Sequence, residues 1–379
     1  MMPHAWLRWV AGCAVASLAV VAAAADDIVV GQVAPLSGLL SDTGKDMVLG
    51  AKVYFDYVND QGGVHGRKIR HVVKDDGYKV DETVRLTREV IDKDGAVALI
   101  GFAGTGNVGE LLKQKVLEKA GIALVAPYTG GEILRTPFNP YIFHIRAGYA
   151  DEAEGIVDQL LLLNMKRIGV MYQDDPFGKA GLAGVQAALK KRGLELAAVG
   201  AYEKNTDNVA DAVKSIAAAN PQAVIMISVN KSTAAFSKQI RAASTVAQLV
   251  NISVVNPKEI VRLIGAEDAR GIAIAQVMPY PYSPTNGIVK EYHQAMKKYA
   301  PAGAELSYTG FEEFVGAKVL VEGLRRAGPN ANREKVLRAL ETLHAYDVGG
   351  FTLNFSPTNR IGSRFVEITV IGKDGRLLR

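Results

Sequence analysis

Cysteine is almost missing from this 379-residue chain: Cys13 is the only one. An intramolecular disulfide is therefore excluded, and stability must come from burial, for which the length is ample. Metal-ligand spacing is lacking as well. Beyond Ala25 the histidines are His65, His71, His144, His293 and His344, far apart and with no H-E-x-x-H or comparable pattern. No G-x-S-x-G elbow occurs. The carboxylate pairs Asp174-Asp175 and Glu312-Glu313 read as a capped loop or a solvated helix face. With no catalytic constellation, no metal set and no cofactor motif in its proper context, the residues argue against an enzyme.

Long apolar runs are confined to the N-terminus. The segment from Met1 to Ala25 carries Arg8, no acidic residue, and an uncharged run from Trp9 to Ala25, followed by Asp26-Asp27. A positive n-region, an apolar h-region and a small-residue exit at Ala23 and Ala25 form the pattern of a secretory signal. The run falls just short of the ~18 to 20 residues that span a bilayer, so cleavage after Ala25 and a periplasmic mature chain are expected. The expected compartment has no ATP, NAD or CoA pool, which excludes much α/β enzymology. Val10-Ala11-Gly12-Cys13 looks like a lipid-attachment box, but the longer apolar stretch follows Cys13 instead of preceding it.

Single-sign charge is absent too. Forty-four basic residues stand against 39 acidic ones, and the densest clusters, Lys190-Lys191-Arg192 and Lys297-Lys298, lie at helix ends where cations suit the helix dipole. The charges describe a solvated surface, with no nucleic-acid partner and no membrane span beyond the leader.

What is present is alternation. Short apolar runs (Ile28 to Val33, Ile69 to Val73, Val97 to Ile100, Ile122 to Ala126) alternate with helical spacing (Met47 to Val58, Asp81 to Asp92, Val108 to Lys119), the signature of βαβ units. A second series begins near Asp151, with strands at Arg167 to Met171, Leu194 to Ala201, Ala223 to Ser228 and Val250 to Val254. Helices at 283–299, 311–327 and 333–343 follow with few strands between them, and Gly350 to Phe355 with Phe365 to Ile371 reads as a hairpin-like pair. Too few strands remain for a third domain, so these helices should cover the first sheet. The expected division is a leader at 1–25, a first lobe from 26–146 and 279–348, and a second from 147–278 and 349–379. Crossings are placed at Ile145 to Tyr149, Gln276 to Tyr282 and Tyr346 to Gly350, which would form a hinge over a cleft.

The sharpest local signal runs from Val97 to Gly109. Gly104, Gly106 and Gly109 satisfy G-x-G-x-x-G, yet the unit is the third, and the next strand ends in Pro127-Tyr128 where a dinucleotide site needs an acid. What the motif leaves is a glycine turn at a helix N-terminus, suited to an anion. Phe102, Gly104 and Thr105 on one turn and Tyr128, Thr129 and Gly130 on the next would grip a carboxylate at the sheet's C-terminal edge.

Read together, Ile28 to Gly38, Gly50-Ala51, Val58 to Lys68, Asp75-Asp76 and Tyr172 to Gly178 resemble the leucine/isoleucine/valine-binding type of periplasmic substrate-binding proteins of ABC importers. The resemblance spans the chain beyond the leader. It implies an α/β, type I periplasmic binding protein fold: two Rossmann-like lobes with parallel sheets and a three-crossing hinge. It also implies that an amino acid or related small carboxylate is caught by hinge closure and passed to a membrane permease by a monomeric receptor. Tyr149 and Phe177 would line the apolar part, with Asn230 and Asn256 closing from the second lobe. One departure stands out. Amino-acid binders of this type place a carboxylate where this chain has Ser253 to Pro257, so leucine is expected to bind more weakly than an acid lacking the amine. The same cleft would serve a sensory module; a dinucleotide-dependent enzyme is the remote alternative.

Overall fold

Two sheets, one parallel and one mostly parallel, organise the chain, of which the computed structural model describes residues 26–243 and 246–379. The expected leader, its cleavage after Ala25, and Cys13 lie outside the described residues.

The first lobe is built from β1 (Ile28–Ala34), α1 (Ser41–Asp60), β2 (Ile69–Asp75), α2 (Val80–Asp92), β3 (Ala98–Ile100), α3 (Thr105–Lys113), α4 (Val116–Ala120), β4 (Leu124–Val125) and β5 (Ile142–Phe143). Its strands pair in the order β2-β1-β3-β4-β5, all parallel. The single helix expected over 108–119 is broken by Lys115, whose φ of 56° is left-handed, and such a residue cannot continue a right-handed helix.

The second lobe follows: α5 (Tyr149–Leu162), β6 (Ile168–Gln173), α6 (Pro176–Lys190), β7 (Ala198–Tyr202), α7 (Ala210–Ala219), β8 (Ala223–Ile227), α8 (Asn230–Ala242), β9 (Gln248–Asn251), α9 (Pro257–Ala269) and β10 (Ala273–Gln276). Asp175 starts α6 by accepting from the Phe177 and Gly178 amides, with Pro176 in the first turn, a strong helix start. The chain then returns to the first lobe for α10 (Gly287–Tyr299), α11 (Tyr308–Ala327), α12 (Arg333–Glu341) and the paired β11 (Tyr346–Asp347) and β12 (Thr352–Leu353). Phe311, Phe314 and Val315 of α11 share one core with Val30, Val53, Ile100 and Ala126, so the late helices do cover the first sheet.

The third crossing is not where the sequence placed it. Residues 349–362 stay with the first lobe: Phe355 packs edge-on against Phe143 at 5.4 Å, His144 N donates to Arg360 O at 2.8 Å, and Gly362 N donates to His144 O at 2.7 Å. Only after Gly362 does the chain cross, to add β13 (Glu367–Ile371) antiparallel to β10 and β14 (Leu377–Leu378) to β13. The expected pairing of 350–355 with 365–371 is therefore wrong. The apolar residue Phe355 finds its partner in the first core, whereas the alternating 367–371 covers an open edge of the second sheet.

Candidate functional site

The C-terminal ends of the two sheets face each other across a nearly filled cleft whose cavity volume is only ≈ 20 Å³. Leu40, Tyr78, Ala103, Gly104 and Tyr128 form its first-lobe wall, and Tyr149, Phe177, Val229 and Val254 its second-lobe wall. The wall is mostly apolar, and Tyr149 and Phe177 meet edge-on at 5.5 Å. The two walls belong to one buried apolar cluster that continues into the second lobe's core, which means that the lobes are shut. Local backbone sets the positions. Gly104 has φ 95°, and a Cβ there would lie 2.6 Å from the Tyr78 ring, so only glycine fits. Tyr78 is itself left-handed, at φ 62°, its amide donating to Asp76 Oδ1 at 2.9 Å.

The glycine turns are arranged differently from the expectation. The hydroxyls of Thr105 and Thr129 bond each other at 2.7 Å, both fully buried, and Gly131 N donates to Thr129 Oγ1 at 3.1 Å. Gly104 N donates to Tyr128 O and Thr129 N to Pro127 O. The Thr105 and Thr129 hydroxyls and the Gly104 and Thr129 amides are thus satisfied within the fold, and the Tyr149 ring covers Gly130 at 2.6 Å from where a Cβ would stand. Phe102 is not in the cleft at all: it packs beneath the sheet with Val33, Leu99 and Val108, because side chains alternate along a strand and its neighbour Ala103 takes the cleft face. Gly106 of the apparent dinucleotide motif faces Pro176 of the other lobe, where a Cβ would sit in van der Waals contact at 3.4 Å.

Asn230 and Asn256 sit on the rim, outside the apolar wall. Asn256 N donates to Asn230 Oδ1 at 2.8 Å, Asn256 Nδ2 to Asp46 Oδ2 at 3.1 Å, and Asn230 Nδ2 to Thr43 Oγ1 at 3.4 Å. Asp46 and Thr43 lie on α1 of the first lobe, so the two asparagines bond one lobe to the other instead of lining the pocket. Burial pushes the Asp46 carboxyl up to about 6. Lys258 adds an ion pair to Glu305 across the same rim at 2.9 Å.

Behind Tyr128 stands a charged cluster that sequence reasoning misses. Arg146, on the first crossing, is fully buried with Glu152 of α5 and Glu312 and Glu313 of α11. Its Nε lies 3.5 Å from Glu312 Oε1, its guanidinium 4.8 Å from the Tyr128 ring centroid, and it donates to Ser253 Oγ. Ser253 in turn donates to Glu152 from N and Oγ at 2.7 and 2.9 Å. Tyr128 Oη bonds Thr309 Oγ1 at 3.0 Å and donates to Ser253 O at 3.4 Å. Glu312-Glu313 is therefore no solvated face. Burial drives the Glu312 carboxyl up to about 7 against the pull of Arg146, and burial with Glu312 alongside raises Glu313 well above the carboxylate range. The available signal is α11 itself, where Phe311, Phe314 and Val315 flank the acids and leave little room for a wet side.

A model of a family described as periplasmic binding protein matches residues 27–376. "Leu/Ile/Val-binding protein homolog 3" of Brucella melitensis is 23% identical over 355 residues, covering 93% of this chain and 94% of that one. Among solved structures, a substrate-binding periplasmic protein from Ralstonia solanacearum superposes with a TM-score of 0.89 at 39% identity, over 93% of this chain and 99% of that one. A possible leucine/isoleucine/valine-binding protein from Rhodopirellula baltica gives 0.87 at 26%, over 94% and 97%. The fold is that of a type I periplasmic binding protein. The chain belongs to the periplasmic binding protein family and is of the Leu/Ile/Val-binding type, as the sequence resemblance implied.

Proposed function

We propose that this protein is the periplasmic solute receptor of an ABC importer, which captures an amino acid or related small carboxylate by closing its two lobes and delivers it to a membrane permease. One observation carries the reading. An apolar, largely aromatic chamber has walls drawn from both lobes, Tyr78 and Tyr128 on one side and Tyr149 and Phe177 on the other, so a solute held there is enclosed only when the hinge is shut. Gly104 lines its first-lobe end, Thr105 and Thr129 are buried and bonded to each other, and Asn230 and Asn256 hold the closed state from the rim. The names of the Brucella and Rhodopirellula relatives point to aliphatic amino acids; the shut cavity, at ≈ 20 Å³, must open to admit one.

A ligand that binds the folded state alone raises stability by RT ln(1 + [L]/Kd). A thermal-shift screen of amino acids, hydroxy acids, simple carboxylates and dicarboxylates, followed by calorimetry, should give at least one ligand with micromolar affinity, about −8 kcal/mol. A flat response across all of these classes contradicts the reading.

A further inference from the structure

Gln173, Asp175 and Lys204 gather on the second-lobe side, next to the chamber walls Tyr78 and Phe177, and they are incompletely bonded. Gln173 is fully buried at the end of β6; its Oε1 accepts from Tyr202 Oη at 3.2 Å, while its Nε2 has no partner. Asp175 is 8% exposed; its Oδ1 caps α6, and its Oδ2 is unpartnered. Lys204 Nζ lies 3.9 Å from that Oδ2, beyond hydrogen-bond range. It reaches over the Tyr78 ring at 3.8 Å and donates one bond across the lobes, to Asn107 Oδ1 at 2.9 Å. Tyr78 is a wall of the chamber, and Phe177, whose amide Asp175 caps, is another. A buried polar atom without a partner costs roughly 1–3 kcal/mol. Two of them, beside a cation that holds spare donors, leave bonding capacity that a partner from outside could fill.

We infer that Gln173, Asp175 and Lys204 form the polar half of the ligand site, taking a carboxylate that carries a hydrogen-bond donor on the adjacent carbon. The ligand carboxylate accepts from Lys204 Nζ and Gln173 Nε2, and its α-ammonium or α-hydroxyl donates to Asp175 Oδ2. The inference rests on the receptor reading above and deepens it. It supplies the anionic partner for an ammonium that the stretch from Ser253 to Pro257 lacks, and it reverses the expectation that leucine binds worse than its deaminated counterpart.

Calorimetry with leucine, 2-hydroxy-4-methylpentanoate and 4-methylpentanoate tests it on the wild-type protein and three variants. Asp175→Asn keeps a helix-capping oxygen and removes the acceptor. It should weaken leucine and the hydroxy acid by about tenfold or more and 4-methylpentanoate by less than about threefold, since a charged hydrogen bond is at stake only in the first two. Lys204→Met keeps the stem over Tyr78 and should weaken all three by about tenfold or more. Asn107→Ala removes the cross-lobe bond and a buried bond to Thr83 Oγ1, and should weaken the three acids alike and by less than Lys204→Met does. Equal losses for the three acids in Asp175→Asn, full affinity in Lys204→Met, or an Asn107→Ala loss as large as that of Lys204→Met overturns the assignment. So does a wild-type protein that binds none of the three while binding something else in the wider screen. A protein that binds nothing in that screen fails the receptor reading itself.

Discussion

Glu312 and Glu313 show how little a residue's letter says about its surroundings. Adjacent acids on a helix point about 100° apart, and on most helices both reach water. Here α11 is buried nearly all round, and the pair is held beside Arg146. The physical consequence is a pH dependence of fixed sign. Glu312 titrates at about 7 when folded, against 4.5 as its ordinary value, so between these values the folded state binds more protons and stability falls as pH rises. Asp46, raised to about 6, acts in the same direction. His71, pushed down to about 4 by burial, and His144, also lowered by burial well below its ordinary value, act oppositely up to about pH 6.5. Comparing variants isolates the acid: in urea unfolding, Glu312→Gln should gain stability relative to wild type between about pH 5 and pH 8. A difference that is flat or falls with pH would show that Glu312 is already ionised in the folded state.

At the scale of elements, the packing of α1 on α11 is the contact that fixes where the first-lobe wall and its rim stand. A Cβ on Gly50 would lie 2.0 Å from the Gly310 carbonyl oxygen, a backbone atom that cannot swing aside. Gly50→Ala should therefore cost about 1–3 kcal/mol or more by overpacking, measured by chemical denaturation. Gly62→Ala, where nothing lies near but φ is 94°, separates backbone strain from the clash. A Gly50→Ala variant as stable as wild type would mean that the helices can spread. Strands and helices are legible where apolar periodicity is long, as in β1, β6, β8 and α1, because each buries one face or both. The two-residue β5 carries no periodicity, and β10 goes unread because its brief run stands just ahead of the crossing placed at Gln276 to Tyr282. The glycine turns are legible as turns, but not their occupancy. Whether Thr105 bonds a ligand or Thr129 depends on a neighbour that belongs to the next βα turn.

For the whole molecule, the alternation of βα units and the family resemblance point to two lobes, while the third crossing is misplaced at Tyr346 to Gly350, ahead of its true position after Gly362, because Phe355 looks alike in either core. The cleft's position follows from the rule that open α/β sheets bind at their C-terminal edge; its polar end does not, since Gln173 ends β6 while Asp175 and Lys204 lie just beyond β6 and β7, and the three meet only once those strands pair. What unites these observations is a chamber that exists between the lobes and is held shut by Asn256 to Asp46, Lys258 to Glu305 and Lys204 to Asn107. The near absence of cysteine makes the motion directly measurable. Spin labels at Lys113→Cys on α3 and Lys191→Cys beyond α6, both exposed, report the distance between lobes by pulsed electron resonance. Capture by closure requires a longer or broader distance distribution without ligand that collapses to a short, narrow one when the solute found by the thermal-shift screen is added. A distribution unchanged by saturating solute would contradict it.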